Sequence, residues 1–152
     1  MAFDLPAALP FLIPQAIAWA EAQSALIAQS GQPLSEGLLA LASGVGVLHP
    51  ELIRLAEVPS IPLPDTLELR QAALNIGLLG TNTAGLTLVY GIYVCRGQGS
   101  ARLLSHEFRH VQQYELAGSL DAFLAAYLEQ ILTVGYRAAP FEVDARSHER
   151  EI

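Results

Sequence analysis

The sequence predicts an α+β fold, mostly helical, with a small β-sheet lying beside one helix that carries paired histidines. Three observations support this. Apolar residues recur at helical spacing in stretches separated by Gly, Pro and Ser, both before and after the middle of the chain. One stretch, Leu86 to Cys95, is rich in Leu, Val, Ile and Tyr and has strand character. The five residues His106-Glu107-Phe108-Arg109-His110 form an H-E-x-x-H motif within a helical stretch. Helices therefore come first, then one or two strands, then three more helices around the motif.

Taken in order, residues near 12–30 form a first helix, with Ile13, Ile17, Ala20, Ser24, Ile27 and Ala28 on one face and Gly31 stopping it. A second helix starts at Ser35-Glu36 and ends at the Gly44-Val45-Gly46 break. A third, short helix is expected from Glu51 to Glu57. Pro59, Pro62 and Pro64 then impose an extended strap. Asp65 or Thr66 caps a fourth helix reaching about Leu79. After a turn at residues 81–85, Leu86 to Cys95 reads as one strand. Leu86, Leu88, Tyr90, Ile92 and Val94 form its apolar face, and Gly91 leaves room for a backbone or ligand. Ser100 caps the motif helix and Gly118 ends it. Ser119 caps an amphipathic helix broken at Gly135, and Pro140 opens a polar terminal helix.

A chain of 152 residues is most simply one domain, 1–152, with a helical N-terminal part (1–80) and a metal-site core (81–152). Hydrophobic residues make up 52% and charged residues 15%, which argues against disorder and leaves room for a homo-oligomer or a protein partner. The net charge of −7, with no basic stripe, makes nucleic acid a poor partner. The lone Cys95 excludes an intrachain disulfide and a cysteine-based zinc site, and fits a reduced, cytoplasmic setting. The proline-broken N-terminus lacks a basic start and does not read as a signal peptide. Gln71 to Cys95 is uncharged, but its glycines, asparagines and threonines read as buried helix, turn and strand rather than a membrane span.

Residues four apart stack on one helix face, so His106 and His110 point the same way and can grip one metal ion. Glu107 sits beside them, placed to take a proton from water. A catalytic zinc site needs three protein ligands and an open position. The third must come from downstream, where Glu115, Asp121, Glu129, Glu142, Asp144, His148 and Glu149 are available. Glu115 is turned away from the histidine face, and Asp121 and Glu129 lie on a polar face. Glu142, in a first helical turn after Ala139-Pro140-Phe141, is preferred over His148. Zinc suits two histidines and a glutamate better than other divalent ions do.

The pattern His106-Glu107-x-x-His110 followed by a glutamate on a later helix resembles zincins of the gluzincin type. Gln113, Gly135-Tyr136 and Ala139-Pro140-Phe141-Glu142-Val143-Asp144-Ala145-Arg146 resemble small, uncharacterised bacterial zincin-like domains, in which H-E-x-x-H-x-x-Q precedes Y-x-x-x-P-x-E-x-x-A. The resemblance covers Leu86 to Glu149 and leaves residues 1–80 outside. It implies a zincin-like minimal metallopeptidase domain: His106, His110 and Glu142 as zinc ligands, and Glu107 as general base for peptide hydrolysis. Tyr136, freed to swing by Gly135, is the first choice for oxyanion donor, ahead of Tyr114 and Arg109. A peptide substrate would add as a strand along residues 86–95. The alternatives are a non-catalytic zinc-binding scaffold acting as an interaction or sensor module, and a metal-free fold with core histidines.

Overall fold

A computed structural model describes residues 5–80 and 82–151. Helix α1 spans Leu5–Ser30, seven residues earlier than the periodicity suggests, and runs through Pro10 and Pro14. Pro6, Pro10 and Pro14 are spaced four apart and all face solvent. The carbonyls that lose a proline partner can therefore turn to water, which is why these prolines do not end the helix. The buried face of α1 runs through Leu12, Ala20 and Ile27, whereas Ala28, expected on that face, is exposed.

Four strands form one mixed sheet in the order β1-β2-β4-β3 among the described residues. They are β1 (Gln32–Pro33), β2 (Arg54–Val58), β3 (Gly85–Leu88) and β4 (Gly91–Cys95). Helices α2 (Glu36–Gly44) and α3 (Leu67–Asn75) lie between them in sequence. Helices α4 (Ala101–Ala117), α5 (Leu120–Val134) and α6 (Pro140–Ser147) follow. The fold is α+β and mostly helical, with the sheet against the motif helix.

Two expectations are corrected. Glu51 to Glu57 is not a helix: a short 3-10 turn at Pro50–Leu52 leads into β2, which pairs in parallel with β4 from Arg54↔Gly91 to Val58↔Cys95. Leu, Ala and Glu favour a helix locally, but the β4 edge supplies a full ladder of backbone partners, and tertiary pairing overrides propensity. Residues 1–80 thus contribute two of the four strands and are not purely helical. Likewise, Leu86 to Cys95 is not one strand but a hairpin turning at Val89-Tyr90, with Leu88↔Gly91 and Thr87↔Ile92 opposed. Val89 takes φ 63, a costly conformation for a β-branched residue. The turn splits the expected apolar face. Leu88 and Tyr93 pack towards α1 and α5 with Ala20, Ile27, Phe123 and Ile131. Ile92 and Val94 pack towards α2 and α4 with Ala42, Leu104, Phe108 and Val111. Gly91 makes room for Ile27, whose side-chain carbons would lie 3.0 and 3.1 Å from a Cβ there, and not for a ligand.

Candidate metal centre

The site is built where α4, α5, α6 and the β3 hairpin meet. Helix α4 begins at Ser100, whose hydroxyl accepts the Leu103 N–H at 3.2 Å, and ends at Gly118 with φ 88. Its apolar side is buried against the sheet, which fixes the rotation of the helix and brings the histidines to the adjacent arc. Helix α6 starts with Pro140 in its first turn, as expected. Phe141 stacks on Phe123 of α5 at 4.9 Å between ring centroids, and its N–H donates to Gln130 Oε1 at 3.0 Å. That anchorage aims Glu142 inward, where it is 2% exposed.

His106 Nε2 lies 3.2 Å from Glu142 Oε1, and His110 Nε2 lies 2.9 Å from Glu142 Oε2. The structure therefore brings together the two histidines and the later glutamate. Their outer nitrogens are also held. His106 Nδ1 faces Glu149 Oε2 at 2.8 Å, and His110 Nδ1 faces Gln113 Oε1 at 2.8 Å. Gln113 spends its amide N–H groups on the Phe141 carbonyl and Asp144 Oδ2, both at 2.9 Å, so its oxygen must face the imidazole. Each Nδ1 therefore carries a proton, and each Nε2 faces the Glu142 carboxylate.

With carboxylates at Nε2 as well, the charged form of both rings is favoured. Burial opposes this, but the hydrogen bond to Glu142 and the charges of Glu107 and Glu142 overcome it. His106 is pushed up to about 9, and His110 moves in the same direction. For Glu142, burial is likewise overcome by hydrogen bonds from both histidines, and its carboxyl sits well below the usual range. Tyr127 of α5, itself buried, donates its hydroxyl to Glu142 Oε2 at 2.6 Å.

Glu107 sits beside the histidines, with one carboxylate oxygen and one nitrogen from each ring all within 4.8 Å of one another. The Thr87 hydroxyl donates to Glu107 Oε1 at 2.8 Å. The carboxylate packs on the bare backbone of Gly85, where an added Cβ would meet Glu107 Cδ and Cγ at 3.2 Å. Gly85 opens β3 rather than closing the expected 81–85 turn, and so faces the motif helix.

The remaining residues separate cleanly. Tyr136 lines the same space, and its hydroxyl stays protonated because burial, then the charges of Glu142 and Glu107, raise its pKa. Tyr114 is committed to the Thr87 carbonyl at 3.3 Å. Arg109 pairs with Asp144 at 2.8 Å and donates to the Val45 carbonyl at 2.7 Å, so neither it nor Tyr114 is aimed at the site. Asp121 and Glu129 are exposed. Glu115 instead accepts the N–H groups of Leu48 and His49 and the Tyr90 hydroxyl. His148 contacts Asp144 and Ser147. Glu149, weighed as a ligand, instead backs His106 and is held by Arg102 at 2.8 Å. The Arg150 N–H bonded to Ser105 Oγ at 2.8 Å ties this tail to α4.

The site opens to one side. A cleft of about 520 Å³ is walled by Asn82, Gly85, Arg102, His106, Glu107 and Tyr136. Of the expected 86–95 edge, only β3 ends the sheet; β4 lies between β2 and β3 and has no free edge for an added strand. No described helix is long and apolar enough to cross a membrane. No family model, curated protein or solved structure matches the chain.

The protonated site has a pH signature. His106 contributes stability that is complete below its ordinary 6.5 and lost as pH rises through about 9. Glu142 contributes stability that is present above its ordinary 4.5 and lost as pH falls into its lowered range. Urea unfolding in the presence of a chelator is expected to show greatest stability between about 4.5 and 6.5, declining towards pH 9. A flat profile from pH 6 to 9 would contradict the imidazolium assignment.

Proposed function

We propose that the protein is a zinc-dependent peptidase of the zincin-like kind, and the observation carrying this reading is the convergence of His106 Nε2 and His110 Nε2 on the Glu142 carboxylate at the floor of an open cleft. The donor set fits zinc in its spacing. Ligand atoms about 2.0–2.1 Å from a tetrahedral ion stand roughly 3.4 Å apart, so contacts of 2.9 and 3.2 Å need only a small outward shift. Because both imidazole pKa values are raised, binding would release protons, so affinity rises with pH.

His106, His110 and Glu142 would hold the ion, with Glu149 and Gln113 fixing the imidazole tautomers. When bound, zinc supplies Lewis acidity, making water acidic enough to lose a proton near neutral pH and polarising a carbonyl. Glu107 takes that proton and passes it to the leaving amine. Thr87 holds one of its oxygens and leaves the other for this work. Tyr136, protonated at the cleft wall, donates to the oxygen that gains charge as the carbonyl carbon becomes tetrahedral. A peptide in the cleft runs past residues 82–85 to the β3 edge. A cytoplasmic setting remains part of this proposal.

The test is metal content by mass spectrometry on untagged protein, followed by cleavage of a mixed peptide library with and without chelator. About one zinc per chain and chelator-sensitive cleavage are expected. Zinc without cleavage would favour a binding scaffold, and no zinc after loading would remove the mechanism. Glu149→Ala is expected to weaken zinc binding about 10–100-fold by releasing the His106 ring, measured by competition with a chromophoric chelator.

A further inference from the structure

The open cleft holds a charge that the proposed chemistry leaves idle. Apart from His106, Glu107, Glu142 and Glu149, its charged walls are Arg102 and Arg146. Arg102 is committed, since its Nε donates to Glu149 Oε1 at 2.8 Å. Arg146 is not. Among the described residues its guanidinium makes no ion pair, and its one hydrogen-bond acceptor is the Arg137 carbonyl. A guanidinium has five N–H donors in a rigid fork, so most of those on Arg146 have no protein acceptor. The acids of the cleft are already engaged. Glu107 holds Thr87, Glu142 holds both histidines and Tyr127, and Glu149 holds His106 and Arg102.

We propose that Arg146 binds a carboxylate of the substrate, one or two residues from the bond that is cut. The inference rests on the hydrolytic reading and names the substrate class of that site: peptides with a negative charge beside the cleavage point. Position argues for it. Arg146 stands four residues after Glu142 on α6, so both lie on one face, about 6 Å apart along the axis. Two residues of extended chain span about 7 Å, so a peptide whose cut bond lies at Glu107 brings a neighbouring carboxylate within reach of the guanidinium. The bond to the Arg137 carbonyl ties the side chain to the segment carrying Tyr136, which holds it at the cleft wall. Chemistry agrees. The planar fork meets a carboxylate through two parallel bonds. One guanidinium balances one carboxylate, whereas sites for phosphorylated or strongly acidic motifs gather several arginines. The rest of this wall, with Asn82, Thr83 and Gln98, is neutral and polar.

The test follows peptide binding to chelated protein by the Arg146 Nε–H signal in NMR. The probes are acetyl-trialanine, its C-terminal amide, and the amide of acetyl-dialanylglutamate. A probe with a carboxylate is expected to bind about 10-fold tighter than the neutral amide, as a charge-assisted bond implies. That margin should vanish in Arg146→Gln and survive in part in Arg146→Lys, which keeps the charge without the fork. It should also shrink at about 1 M salt in the wild type, which keeps the idea testable if the Gln variant does not fold. A margin for acetyl-trialanine assigns the chain end, and one for the glutamate probe assigns an acidic side chain; either supports the site. Equal binding of all three probes, or a margin untouched by Arg146→Gln, overturns it. On zinc-loaded protein the same order is expected in kcat/KM. Carboxylate-dependent binding by a protein that cleaves no peptide leaves Arg146 standing as a carboxylate site and overturns the hydrolytic reading.

Discussion

Glu107→Gln is expected to lower kcat for peptide hydrolysis by about 10²–10⁴-fold while leaving zinc content and thermal stability close to wild type. The geometry makes this substitution clean. Glutamine has the same shape, so it still fits against the bare backbone of Gly85. Its amide oxygen can still accept the Thr87 hydroxyl that now reaches Glu107 Oε1 at 2.8 Å. What disappears is the ability to accept a proton from water and return it to the leaving amine. Steady-state kinetics beside metal analysis separates this from loss of the site. A Gln variant that cleaves at the wild-type rate would remove Glu107 from the chemistry.

Glu142→Ala is expected to have the largest effect on the metal centre. The carboxylate touches both Nε2 atoms and accepts the Tyr127 hydroxyl, and it is 2% exposed. Removing it takes away one of the three proposed ligands, so zinc affinity should fall by more than the roughly 100-fold of an outer-shell change. The metal-free protein suffers too. Two imidazole rings 4.9 Å apart lose the anion between them, and Tyr127 loses its acceptor. Breaking a buried ion pair from one side costs about 3–5 kcal/mol. Release of the histidine protons offsets part of that at neutral pH, so the cost should be greatest at pH 6 and below. Chelated protein followed by urea unfolding at pH 5.5 and 8 measures this. An equal loss at both values would show that the histidine charges play no part. Zinc retention near wild type would exclude Glu142 as a ligand.

Much of the architecture around the site is legible because it depends on local chemistry. Ser100 and Ser119 accept N–H groups in the first turns of their helices, and Gly118 and Gly135 end them with positive φ. Pro140 opens α6 and sets Glu142 in its first turn. These are short-range bonds and dihedral preferences that a few neighbouring residues decide. The spacing of His106 and His110 belongs to the same class, since helical periodicity alone puts both on one face.

The readings that fail all concern partners distant in sequence. Residues 54–58 have helix-forming composition, yet they become the strand that pairs with β4 because an unpaired strand edge was waiting for them. The 86–95 stretch folds at Val89-Tyr90, since only a hairpin sets Thr87 and Gly85 against Glu107 while Leu88 and Tyr93 face α1 and α5. Pro10 and Pro14 look like helix breakers until the solvent side of α1 is known. Glu149 and Tyr127 support His106 and Glu142 in roles that nothing near them in sequence requires.

Sequence by itself determined the α+β class, the motif helix with its caps, and the pairing of two histidines on one face with a carboxylate between them. Only the tertiary structure decided that Glu142 closes on both imidazoles and that Glu149 and Gln113 hold their outer nitrogens. The physical reason is one of range. Caps, turns and helical faces arise from bonds within a few residues, whereas a buried carboxylate finds its partners only after the core has packed and water has left.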